Sequence, residues 1–319
     1  MFSIMKNFLN VHDVPDVEAL AQQAIALKQD RFAHEQLGKN KTMVLLFLNA
    51  SLRTRISTQK AAHNLGMKTI VLNLGQDSWN MEYEDGAVMN GNTAEHIKEG
   101  AAVISEYADI IGIRAFPTLT DRDRDYSEYV LHKFLENVKA PIVNMESATV
   151  HPLQSLTDLV TIREHTRKAR PKVVLTWAPH IRALPQCVSN SFAEWMNAAD
   201  VELTITHPEG YELAEQFSGK ATIEYNQDKA LEGADFVYAK NWSSYRQYGQ
   251  LLGQHDDWMI TDQKMQLTDK AYFMHCLPTR RNLEIADDVL DSDYSLVIKE
   301  AANREFAAQA VLKNILESL

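Results

Sequence analysis

Cysteine is scarce in this chain. Its 319 residues include two, Cys187 and Cys276, far apart and without a C-x-x-C pair. That argues against a disulfide framework and against a structural zinc site. No apolar run approaches the length of a membrane span. Positive charge is in deficit: 32 Lys and Arg stand against 43 Asp and Glu, a formal net charge of −11. Such a balance speaks against nucleic acid or an anionic membrane as partner. Met1 to Lys6 are apolar only briefly and lack the core of a signal peptide, so a cytoplasmic protein is expected. A glycine-rich phosphate loop is missing as well. Neither a Walker motif nor G-x-G-x-x-G follows a strand-like run, which disfavours a nicotinamide dehydrogenase. There is no low-complexity tract and no short-period repeat.

What is present is ordinary for a globular protein: 45% hydrophobic and 24% charged residues, enough for a large core. The length suggests two domains. Helical spacing of Val17, Leu20, Ala21, Ala24 and Ile25 follows start signals at Asp13, Pro15 and Asp16. Strands are predicted at 42–48, 69–74, 109–114 and 141–144, with helices at 53–65 and near 94–107. The segment 75–92 is a long acidic loop, and loops of that length are commonly functional or disordered. The second half repeats the alternation. Strands are expected at 172–177, 201–206, 235–239, 272–276 and 295–298, with helices at 189–198 and 304–319. This pattern predicts an α/β protein of two doubly wound parallel-sheet domains. The border should fall near 146–152: domain one over 1–148, domain two over 149–300, and a C-terminal helix, 301–319, packing back on the body.

In open α/β sheets, ligands bind outside the carboxyl ends of strands. Six predicted strand ends carry polar groups: Ser51, Arg114, Glu146, Trp177-Ala178-Pro179-His180, Lys240-Asn241-Trp242 and His275-Cys276-Leu277-Pro278. They point to one site shared by two domains. Ser51-Leu52-Arg53-Thr54-Arg55 sits where a strand feeds a helix, so free N–H groups, hydroxyls and guanidinium groups can cradle a phosphate. Alone, it also fits a capped helix with exposed arginines. His151-Pro152-Leu153-Gln154 alone fits a polar linker, and His275-Cys276-Leu277-Pro278 a strand end with a core histidine.

Taken together and in this order, the motifs resemble the transcarbamylase family over essentially the whole chain. These enzymes move a carbamoyl group from carbamoyl phosphate to an amine. Leu52 in the phosphate motif, Trp79, Trp177-Ala178-Pro179-His180, Lys240-Asn241-Trp242 and Glu300-Ala301-Ala302-Asn303-Arg304-Glu305 are similar to the branch that carbamoylates N-acylated ornithine. The Ser-Met-Gly loop of ordinary ornithine transcarbamylases is absent.

The resemblance implies a site in the interdomain cleft. Ser51, Leu52, Arg53, Thr54, Trp79, Arg114, His151, Gln154, Cys276, Leu277 and Arg304 would contact carbamoyl phosphate, with Arg114, His151 and Thr54 catalytic. Glu146, His180, Lys240, Arg280 and Ala94 would hold the acylornithine. The Leu277–Pro278 bond would be cis. No metal or cofactor is implied. The partner is a second copy of the chain, in a homotrimer where Trp79 reaches a neighbouring site; an ordinary exposed loop aromatic is the alternative for Trp79. Acetyl-specific members carry a glutamate where this chain has Ala94. A carboxylate there would repel a succinyl carboxylate, so N-succinyl-L-ornithine is the expected acceptor and N-acetylornithine the alternative. Glu95 could turn inward in place of that glutamate. Glu284 would orient Lys240 or Arg280. Plain ornithine as acceptor, or a non-catalytic binding relative, are the remaining readings.

Overall fold

The computed structural model describes residues 5–319. They divide into two compact units. The first runs to Thr118, resumes over Asp123–Leu153 and takes in Arg304–Leu319; the second comprises Leu119–Arg122 and Gln154–Asn303.

The first stretch of chain forms α1 (Val17–Leu27), β1 (Thr42–Phe47), α2 (Arg53–Asn64), β2 (Lys68–Asn73), β3 (Met81–Glu82), β4 (Glu95–His96), α3 (Ile97–Tyr107), β5 (Ile110–Arg114), α4 (Arg122–Tyr126), α5 (Tyr129–Leu135), β6 (Ile142–Glu146) and α6 (Pro152–His165). Asp16 caps α1 by accepting from the Ala19 N–H, and Val17, Leu20, Ala21, Ala24 and Leu27 form its buried face. Four parallel strands lie in the order β2-β1-β5-β6. The inner strands read TMVLLF and IIGIR, the near-continuous apolar runs of a sheet covered on both faces. A Cβ at Gly112 would meet Leu45 Cδ2 at 2.8 Å and Met145 Sδ at 3.0 Å, so those side chains would have to shift. Val44, Leu46, Ile97, Ile111, Ile113, Leu131 and Phe134 make the core. The register sets Phe47 beside Arg114, and Arg114 beside Glu146 after an irregularity at Ile113. Three strand ends therefore stand in a row.

The second stretch forms β7 (Lys172–Trp177), α7 (Cys187–Ala198), β8 (Glu202–Thr206), α8 (Glu215–Ser218), β9 (Thr222–Glu224), α9 (Gln227–Leu231), β10 (Phe236–Lys240), α10 (Asp262–Met265), β11 (Tyr272–Met274), α11 (Asp287–Leu290) and α12 (Val297–Leu316). Its parallel sheet has the order β11-β10-β7-β8-β9. Val174, Val237, Ala239, Ile260, Phe273, Ile285 and Val289 pack its core. Trp177 pairs with Lys240, so the ends of β7 and β10 are level.

The α/β reading of two parallel sheets holds, with local corrections. Residues 295–298 are not a strand: Ser295 makes one isolated bridge to Phe273, and the chain enters α12 at Val297. A short apolar run does not distinguish a buried strand from a helix start; here Leu296 accepts from the Glu300 N–H, which begins the helix. The strand expected at 272–276 stops at Met274. The helix expected from 94 begins at Ile97, because residues 95–96 pair as β4. Helices α4 and α5 and strand β9 have no counterpart in the sequence reading. Helices this short are marginal by themselves. α5 is entered through Glu128 at φ +52°, whose carboxylate accepts from the Ala148 and Thr149 N–H groups, a tertiary anchor with no local signature.

Candidate active site

The first unit assembles its polar groups at the ends of β1, β5 and β6. The residue before α2 is Leu52, and no side chain caps the helix. The capped-helix reading of this motif therefore does not describe the chain. The first-turn N–H groups are left for an anion, where the helix dipole favours negative charge. Arg53 begins the helix, and among the described residues it makes no ion pair. Arg55 turns to Asn73 instead (Nη1 to Oδ1, 3.4 Å). Thr54 is buried and its Oγ1 accepts from Arg304 Nη2 at 2.6 Å, so the last helix brings a guanidinium to the first turn of α2.

Arg114 is buried at the end of β5. Its Nε and Nη2 donate to Glu146 Oε2 at 3.0 and 2.8 Å, and its Nη1 to the carbonyls of Asn49 and Ala50 at 3.1 and 2.6 Å. A guanidinium has five N–H bonds. Those contacts use four, which leaves one on Nη2. The turn carbonyls that fix the guanidinium lie directly before the phosphate motif. Glu146 Oε2 is also 3.5 Å from His151 Nε2. Glu146, read from the sequence as an acylornithine residue, is thus held in the Arg114–His151 cluster. His151 is buried, and desolvation pushes its pKa down to about 3; Glu146 opposes the shift, while Arg304 and Arg114 add to it. Its imidazole is neutral near pH 7.

Trp79 and Ala94 lie on the loop between β2 and α3. The Ala94 N–H donates to the Asn80 carbonyl at 3.1 Å. Trp79 is exposed, and its Nε1 donates to Glu95 Oε2 at 2.7 Å. Glu95 therefore pairs with the indole.

In the second unit Lys240 ends β10 and is buried. Around it, Asn241 Nδ2 donates to the Ala178 carbonyl and Trp177 Nε1 to the Trp242 carbonyl, at 2.7 and 2.9 Å. His180 follows β7. Arg280 Nε lies 3.2 Å from His180 Nε2 and can only donate. Nδ1 lies 2.9 Å from the Arg182 carbonyl and 3.2 Å from the Arg182 N–H; the carbonyl contact is the shorter and goes with a ring proton on Nδ1. Burial pushes the His180 pKa down, which suits this neutral tautomer. Glu284 is buried and accepts from the Arg280 N–H at 2.6 Å and from Thr279 Oγ1 at 3.1 Å. It orders the Arg280 backbone, and neither the Lys240 ammonium nor the Arg280 guanidinium is its hydrogen-bond partner.

Gln154 Nε2 donates to Asp158 Oδ1 at 2.7 Å and to Glu300 Oε1 at 3.1 Å. Glu300 Oε2 accepts from the His275 N–H at 2.9 Å, and His275 Nδ1 from the Leu277 N–H at 2.9 Å. This chain of contacts shapes the turn after β11, where Leu277 has φ +53° and the Leu277–Pro278 bond is cis. Burial pushes the Cys276 thiol up to about 11, so it is protonated near pH 7 and a poor nucleophile. Asp158 and Glu300 are the supporting groups that sequence reasoning missed. Asp158 meets Gln154 one helical turn on along α6, whereas Glu300, quoted above only as part of a motif, is brought to it by the fold.

Comparison with known proteins agrees with this architecture. The family model for the aspartate/ornithine carbamoyltransferase carbamoyl-P binding domain matches residues 6–164, and that for the Asp/Orn binding domain matches residues 186–315. The molecule is an enzyme of the carbamoyltransferase class. The chain belongs to the aspartate/ornithine carbamoyltransferase family. It is 53% identical to N-succinylornithine carbamoyltransferase of Bacteroides thetaiotaomicron, over 99% of this chain and 100% of that one. It is 35% identical to N-acetylornithine carbamoyltransferase of Xanthomonas campestris, over 97% of each. Among solved structures it is similar to an N-acetyl-L-ornithine transcarbamylase glutamate-to-alanine mutant complexed with carbamyl phosphate and N-succinyl-L-norvaline, with TM-score 0.90 and 36% identity over 96% of this chain and 98% of that one. Acetylornithine transcarbamylase complexed with acetylcitrulline matches with the same TM-score and 35% identity, again over 96% and 98%.

Proposed function

We propose that this enzyme transfers the carbamoyl group of carbamoyl phosphate to the δ-amine of N-succinyl-L-ornithine, giving N-succinyl-L-citrulline and phosphate, as a step of arginine biosynthesis. One observation carries the choice of acceptor: 53% identity over the full length to an N-succinylornithine enzyme, against 35% to the N-acetylornithine enzymes. Ala94 supplies a physical reason. It places no charge where an acetyl-specific site would place one, and so admits a second carboxylate. The succinyl analogue bound by a glutamate-to-alanine mutant of the acetylornithine enzyme is in keeping with it.

The neutral amine attacks the carbamoyl carbon, the bond to the phosphate oxygen breaks, and the net reaction moves one amine proton to phosphate. Charge grows on the carbonyl oxygen and on the leaving group. The remaining N–H of Arg114, the neutral ring of His151 and Thr54 stabilise the first. Ser51, Leu52, Arg53, Arg304 and the open N-terminus of α2 take the second. Gln154 and the turn at Cys276 and Leu277 orient the carbamoyl group. Glu146, His180, Lys240 and Arg280 serve the acylornithine, Lys240 by pairing with its α-carboxylate and Glu146 through Arg114. Holding both reactants in line removes much of the entropic barrier. Residues 1–148 form the carbamoyl phosphate-binding domain, to whose ligand His151, Gln154, Cys276, Leu277 and Arg304 also contribute; residues 149–300 form the acylornithine-binding domain, and 301–319 pack back.

The enzyme works as a cytoplasmic homotrimer in which Trp79 reaches a neighbouring copy's site. Leu52, Ile56, Ile70 and Trp79, on α2, the edge strand β2 and the following loop, are exposed apolar side chains available for such packing. No helix among the described residues is long and apolar enough to cross a membrane.

Carbamoyl phosphate should be offered with N-succinyl-, N-acetyl- and free L-ornithine, to the wild type and to Ala94→Glu. Citrulline-type product from the succinyl compound is expected, with a loss of at least about tenfold in kcat/KM for it in Ala94→Glu, the cost of one like-charge contact. Wild-type turnover of acetylornithine alone would overturn the choice of acceptor. No turnover with any of the three would overturn the reaction.

A further inference from the structure

Glu95 has no part in the chemistry proposed above, yet its place is closely defined. Segment 79–96 closes on itself, since Met81 pairs with Glu95 and Glu82 with His96. Ion pairs strap it down: Asp85 meets Lys98 at 2.6 Å and Lys133 at 2.7 Å, and Glu84 meets Arg124 at 2.6 Å. In this frame the Trp79 indole, 56% exposed, has its N–H on Glu95 Oε2 at 2.7 Å. A hydrogen bond to an ionised acceptor is short and about twice as strong as a neutral one. Within its own chain, an indole this exposed takes its direction from that bond.

We infer that Glu95 is a positioning residue for Trp79: its carboxylate sets the direction in which the indole is presented, and the indole N–H in turn occupies a carboxylate that stands next to Ala94. The inference rests on the reading that Trp79 serves the substrates and that the acyl pocket is kept free of charge. A carboxylate released beside Ala94 would restore the repulsion that Ala94 removes.

The test compares Glu95→Ala with Glu95→Gln, whose amide oxygen still accepts from an indole. Two measurements are made on the full-length enzyme. The first is acrylamide quenching of tryptophan fluorescence. Of the five tryptophans, Trp177, Trp195 and Trp242 are fully buried and Trp258 nearly so, so the quenchable component is Trp79, and Trp79→Phe serves as its reference. The second is KM and kcat with N-succinyl-L-ornithine. Glu95→Ala should alter the quenching constant and raise KM at least about tenfold, as expected for one lost charge-assisted bond, with a smaller change in kcat. Glu95→Gln should fall between wild type and Glu95→Ala on both, since its amide oxygen keeps the bond at about half the strength. Unchanged quenching and KM in Glu95→Ala would overturn the inference. So would a Glu95→Gln enzyme as impaired as Glu95→Ala, because an oxygen that accepts from the indole would then make no difference. Should the wild type transfer to no acylornithine, the functional reading fails, while quenching still decides the Trp79–Glu95 pair.

Discussion

Neutral histidine is the distinctive choice at the residue scale. His151 is held uncharged by burial, with its pKa near 3 in place of about 6.5. In the folded chain it therefore remains unprotonated where the unfolded chain takes up a proton. The linkage follows in sign: its contribution is fully present above pH 6.5 and is lost as pH falls from 6.5 toward 3. Thermal melts of the wild type and His151→Gln between pH 7.5 and 4.5 check this. The wild type should lose more stability on acidification than the variant does. His180 and His207 are pushed down by burial too, so the variant keeps part of the slope. A neutral ring also means that the rate should show no inflection near pH 6.5 from His151. None of this is written locally in His151-Pro152-Leu153-Gln154, which reads equally well as a polar linker. Desolvation decides it, and Glu146 and Arg114 come from the ends of β6 and β5.

At the element scale, α2 depends on the last helix. Asn64, on the buried side of α2, donates to Glu305 Oε1 at 2.8 Å and to Gln309 Oε1 at 2.9 Å. Lys60 and Arg31 meet the same Glu305 carboxylate at 2.9 and 3.2 Å. Glu305→Ala leaves a buried amide short of an acceptor, so it should lower stability by about 1–3 kcal/mol in urea unfolding. Because Arg304, which holds Thr54 at the start of α2, is the residue next to Glu305, KM for carbamoyl phosphate should rise more than KM for the acceptor. The apolar face of 304–319 was legible as a helix packing on the body. The polar latch was not, because nothing local to Asn64 or to the motif that ends in Glu305 tells that the two meet across 241 residues. The same limit explains 295–298, where the apolar run Leu296-Val297-Ile298 starts a helix, and α5, whose entry depends on Glu128 and the loop at 147–149.

The whole molecule is acidic, with a net charge of −11, yet its proposed donor and acceptor are both anionic. Local fields must therefore outweigh the global one, through Arg53, Arg304, Lys240, Arg280 and the N-terminus of α2. Assembly belongs to this scale as well. Sedimentation should give three times the chain mass of 36.2 kDa. Ile56→Asp, which puts a charge into the exposed apolar face of α2, should reduce the mass to that of one chain; a wild type sedimenting at single-chain mass would rule out the trimer.

The amino-acid sequence by itself determined the alternation of strands and helices, the parallel sheets and the polar groups at their carboxyl ends. Those follow from periodicity, capping residues and turns, which act over a few neighbours. Only the tertiary structure decided what each polar group does there: Arg114 paired to Glu146 across 32 residues, His180 to Arg280 across 100, Thr54 to Arg304 across 250. Charge state, tautomer and direction are set by burial and by partners, and the chain has neither until it folds.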